Sequence, residues 1–93
     1  MDQLEYLARA YFHPDWDVEA STPAGALANF VRDEPSEDVA QLGEELVSLL
    51  SANPTEQELH DVWQHKSGAS WDPVITGWGT YRQWFQAMLA AVS

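Results

Sequence analysis

An all-α fold, a compact single-domain bundle of about five short helices over residues 1–93, is what the sequence predicts, and three observations predict it. Apolar residues recur at three- and four-residue spacings in five separate stretches. Capping residues or prolines bound those stretches. The length of 93 residues suits one core, because a chain this short buries only about 60 to 65% of its unfolded surface and cannot divide that burial between two.

The first pattern runs from about Asp2 to Tyr11, with Leu4, Leu7, Ala8 and Tyr11 on one face, and Pro14 ends it. Thr22 reads as the N-cap of a second helix and Pro23 as its first residue, where a missing amide hydrogen costs nothing. Ala26, Leu27, Phe30 and Val31 make its core face. After Asp33-Glu34-Pro35, Ser36 is the expected cap of a third helix, and Glu37 and Asp38 fall in the first turn, where the helix dipole favours negative charge. Its stripe of Val39, Leu42, Leu46, Leu49 and Leu50 passes Gly43 and stops at Asn53-Pro54.

Thr55 and Glu58 match a capping box, in which cap and third residue satisfy each other's backbone amides. They open a fourth helix expected to reach about His65, with Leu59, Val62 and Trp63 inward and Ser67-Gly68 as its end. The segment from there to Gly79 is a loop rich in Gly, Pro and Trp, with room for a short strand around Trp71 to Thr76. Thr80 and Gln83 form a second capping box, and Tyr81, Trp84, Phe85, Met88, Leu89 and Val92 line the last helix.

Composition narrows function. Fifteen Asp and Glu stand against Arg9, Arg32, Lys66 and Arg82, for a formal net charge of -11. Such a field repels nucleic acid and anionic membranes, so neither is an expected partner. It also speeds encounter with a basic protein, an effect that salt screens over about 10 Å. The plainer reading of the acidity is solubility. With no cysteine, thiolate metal sites and cysteine nucleophiles are excluded. No basic, apolar leader and no run of about 20 apolar residues is visible, so a cytoplasmic location is expected.

A search for chemistry finds little. His13, Asp15 and Asp17 are the densest metal-capable cluster, but ligands so close in sequence seldom face one point, and loop stabilisation is the preferred reading. His60 and His65 invite a zinc reading, yet five residues of α-helix turn them about 140° apart. They are expected to be surface histidines. No serine sits in a glycine-flanked elbow, and Gly77-Trp78-Gly79 lacks the Lys of a phosphate loop. No catalytic residue, metal or cofactor is therefore expected, and the chain reads as a binding protein.

The binding face follows from the third helix. If Val39, Leu42, Leu46 and Leu49 point inward, then Glu37, Gln41, Glu44 and Ser48 point outward, flanked by Asp38 and Glu45. With Asp33 and Glu34 in the preceding turn they form the densest negative patch, which could equally be an ordinary solvated helix face. Trp71 and Trp78 are either contact anchors or closures of a small core.

Two segments carry a resemblance: Tyr11-Phe12-His13-Pro14-Asp15-Trp16 after the first helix, and Gly79-Thr80-Tyr81-Arg82-Gln83-Trp84-Phe85 near the end, with an acidic helical middle between them. The chain resembles the small immunity proteins of bacterial contact-dependent growth inhibition systems, with Pro14 where many relatives are expected to have Gln. The resemblance implies a cytoplasmic antitoxin that binds the C-terminal toxin domain of a contact-delivered effector and blocks its active site or substrate access. Such toxins are often nucleases, which must present positive charge to phosphates. It also implies that the motif builds the fold, with Tyr11 and Trp16 in the core and Asp15 as a local hydrogen-bond acceptor. The competing reading is an acidic helical adaptor or regulatory protein for some other basic partner.

Overall fold

The computed structural model describes residues 2–93. Six α-helices appear: α1 Asp2–Tyr11, α2 Trp16–Glu19, α3 Pro23–Asp33, α4 Ser36–Ser51, α5 Glu56–His60 and α6 Tyr81–Val92. Beyond His60 the chain continues without a break as a π-helical turn, Asp61–Lys66. No strand occurs among the described residues. α4 packs on α1, α3 and α6, and α6 also meets α3 and α5, so α4 and the C-terminal helix together hold the bundle.

Local chemistry explains most boundaries. Thr22 Oγ1 accepts from the Gly25 amide at 3.0 Å, and both expected capping boxes form, Thr55 with Glu58 and Thr80 with Gln83. At α4 the expectation fails: Pro35 is the N-cap, and Ser36 is already helical, with no side-chain capping bond at this end. The Pro35 carbonyl accepts from Asp38 and Val39 instead. The extra helix α2 follows from a turn in which His13 Nδ1 accepts from the Asp15 amide at 3.1 Å and the His13 carbonyl accepts from Trp16 at 2.9 Å. Asp15 does accept locally, but through its backbone carbonyl, from the Val18 amide.

The loop before α6 is a set of nested turns, with no strand around Trp71–Thr76. Asp72 Oδ1 accepts from the Val74 and Ile75 amides at 2.8 and 3.1 Å, which gives these donors a local partner and removes the need for a neighbouring strand. The Pro73 carbonyl then accepts from Trp78 and Gly79. Gly77, at φ 78°, supplies the left-handed conformation that reverses the chain.

One hydrophobic cluster fills the interior. Phe12, fully buried, stands at its aromatic centre: its ring lies 5.3 to 5.7 Å from those of Trp16, Trp63, Trp71 and Trp84. Each such ring pair adds about 0.5–1.5 kcal/mol beyond burial itself. The Phe12 carbonyl accepts from Ser70 at 2.9 Å, so the segment after α1 is pinned to the loop before α6. Tyr11 and Trp16 are only part-buried and lie against this cluster. Val31, expected inside, is 39% exposed.

Candidate partner-binding face

α4 carries the face. Leu42 and Leu46 are fully buried, and that anchoring sends Glu37, Gln41, Glu44 and Ser48 outward, all exposed, with Asp38 and Glu45 half-buried on the flanks. Asp33, exposed at the end of α3, and Glu34, half-buried in the turn that follows, precede them. All seven acidic and amide residues of the expected patch therefore lie along one helix and the residues that lead into it.

Their bonding divides them. Glu34 Oε2 accepts from the hydroxyls of Tyr6 and Tyr11 at 3.1 and 2.7 Å, which ties α1 to the turn. Burial of Tyr11, with the Glu34 carboxylate beside it, pushes its phenol well above the ordinary tyrosine range, so it stays a donor. Glu45 spans to the start of α1, where its two oxygens accept from the Gln3 and Leu4 amides at 3.0 Å each. These are among the first helical amides, which lack intrahelical partners; Glu45 caps α1 from another helix. Gln41 Nε2 donates to the same carboxylate at 3.1 Å.

Asp33 is paired with its neighbour Arg32 through two bonds of 2.7 and 3.0 Å. That hydrogen bond holds its carboxyl below the usual aspartate range. Glu37, Asp38 and Glu44 make no intramolecular ion pair or side-chain hydrogen bond among the described residues. Three like charges on the surface of one helix, with no basic residue in its last turn, leave a local negative field. Asp15, Asp17 and Glu19 around α2 are exposed as well, so negative charge is not confined to α4.

Two other carboxylates, missed in the sequence, hold the start of α6. Glu56 accepts from the Tyr81 and Arg82 amides at 2.9 and 2.8 Å, capping α6 as Glu45 caps α1. Asp72 also accepts from the Tyr81 hydroxyl at 2.7 Å. Burial alone would raise the Asp72 carboxyl, but the bonds from Tyr81, Ile75 and Val74 outweigh it and hold it below the usual range. Glu45 and Glu56 gave no local signal, because their partners lie far away in the chain.

The loop tryptophans separate. Trp71 is core, at 5% exposure, whereas Trp78 is 41% exposed and sits beside a shallow apolar groove with Ala24, Leu27 and Ala87. His13 spends Nδ1 on the Asp15 amide, and it does not gather with Asp15 and Asp17 as a metal-binding group. The reading of His60 and His65 needs correction. In the π-helical turn, bonded i→i+5, residues five apart come into register, and the two rings meet edge-to-face at 5.3 Å.

No helix among the described residues is long and apolar enough to cross a membrane. Comparison with known proteins adds the lineage. The family described as CdiI immunity protein matches residues 1–92. No curated protein matches the chain. A chain in the crystal structure of the CdiA-CT/CdiI complex from Y. kristensenii is 25% identical, with a TM-score of 0.90 over 99% of this chain and 97% of that one. The match to the family runs through both segments that carried the resemblance and through the acidic helix between them, and the chain belongs to the CdiI immunity protein family.

Proposed function

We propose that the chain binds the C-terminal toxin domain of its cognate contact-dependent growth inhibition effector and neutralises it, with Asp33, Glu37, Asp38, Gln41 and Glu44 in the contact and Glu34 and Glu45 anchoring that face. The solved relative comes from a CdiA-CT/CdiI complex, and the same kind of assembly is proposed for this protein. The observation that carries the reading is the row of uncompensated carboxylates on α4, held by a buried leucine stripe, in a chain of net charge -11.

The partner this face suits is a basic domain, and a nuclease is the proposed class. A nuclease keeps a positive groove for phosphates, and carboxylates on a rigid helix can occupy that groove or cover its mouth. Charge of this kind acts first on encounter, raising the association rate, and then on register. The shape of the core, and not the charge, keeps the face from folding away.

Co-expression tests the proposal. The toxin domain encoded beside this gene should arrest growth alone and be tolerated with this protein, and the two should co-purify. Arrest that persists in the presence of folded protein, with no co-purification, would defeat the proposal. Co-purification with a basic protein that has no toxic activity would favour the adaptor reading instead.

A further inference from the structure

We propose that the π-helical turn after α5 builds a divalent transition-metal site from His60, Asp61 and His65. One ligand atom from each residue lies within 4.8 Å of the others. The His60 Nδ1 and Asp61 Oδ1 atoms are 3.2 Å apart, close to the edge of about 3.3 Å between two donors of a tetrahedral zinc ion with bonds near 2.0–2.1 Å. The third ligand is the exposed His65, whose ring lies against that of His60 with centroids 5.3 Å apart. An ordinary α-helix could not assemble this set, because residues five apart diverge by about 140°. The π turn narrows that divergence enough for the two rings to meet, and such turns are enriched where helices carry function.

The surroundings hold the ligands in place. Gln57 Nε2 donates to Asp61 Oδ1 at 3.0 Å, and the His60 ring packs edge-to-face on Tyr81 with centroids 5.3 Å apart. Trp63, fully buried, fixes the turn itself: its Nε1 donates to the Trp71 carbonyl at 2.8 Å. Two imidazoles and one carboxylate suit Zn²⁺, Co²⁺, Ni²⁺ or Cu²⁺ and are a poor set for Mg²⁺ or Ca²⁺, which favour oxygen donors. Three protein ligands leave a fourth position open to water or to a partner's side chain.

Untagged, chelator-treated protein titrated with ZnCl₂ against a chromogenic chelator tests the site, with Co²⁺ as a spectroscopic probe. One equivalent should bind. His65→Ala, at an exposed position, and Asp61→Asn should each weaken binding about tenfold or more, by the scale on which metal sites respond to lost supporting groups. His13→Ala should leave it unchanged. In NMR the imidazole signals of His60 and His65 should shift together on adding Zn²⁺, with those of His13 unmoved. No stoichiometric binding, undiminished affinity in His65→Ala, or a response centred on His13 would each overturn the proposal.

Discussion

Glu44 and Glu45 are neighbours on α4, but about 100° of helical rotation separates them, and they face different surroundings. Glu45, on the edge toward α1, closes two backbone amides at the start of that helix. Glu44, on the outer edge, is exposed and has no partner within the chain among the described residues. One edge of the helix thus builds the fold and the other stands exposed, without partners within the chain among the described residues. In a chain of formal charge -11, Glu34, Glu45, Glu56 and Asp72 keep their charge but spend their oxygens on intramolecular donors.

The comparison is sharpened most strongly at the aromatic centre behind the inner edge. Phe12→Ala should cost about 3–5 kcal/mol, the usual range for removing a buried phenylalanine, and urea unfolding would read it. A loss below about 1 kcal/mol would mean that the ring cluster is not the keystone of the fold. Next come the cross-helix caps. Glu45→Ala and Glu56→Ala should each lower stability by about 0.5–2 kcal/mol, as other caps do. Were Glu44→Ala to cost as much as Glu45→Ala in the same assay, the two edges would not differ as described.

Acid sharpens it further. The Asp72 carboxyl titrates lower in the folded chain than in the unfolded one, where aspartate sits near 3.9. Its stabilisation is therefore present above about pH 4 and is lost as pH falls through the folded value. Asp72→Asn should flatten the acid limb of the stability curve. The smallest effect is expected on the outer edge itself: Glu37→Lys and Glu44→Lys should alter stability by no more than about 0.5 kcal/mol, measured by thermal unfolding.

Much of this architecture was legible because it is local. The Thr55–Glu58 and Thr80–Gln83 boxes lie within four residues each, and the α4 stripe repeats over a continuous run, so helix starts and the outward row of Glu37, Gln41 and Glu44 could be read directly. What escaped depends on distance or on irregular backbone. Glu45 meets amides 41 and 42 residues away, and nothing near it in sequence distinguishes it from Glu44. Phe12 falls just past the end of α1, where helical periodicity stops applying, so its burial is set by the tryptophans from four later segments. The meeting of His60 and His65 required a π turn, which no spacing rule for α-helices anticipates.

The central claim is that the outer edge of α4 meets a positively charged protein surface. The most direct measurement is the association rate of this protein with the cognate toxin domain across a range of salt concentrations, for the parent chain and for Glu37→Lys/Glu44→Lys. The account predicts a rate that falls steeply with salt in the parent, and in the variant a slower rate with a shallower salt dependence. Equal rates and equal salt slopes for the two proteins would contradict it.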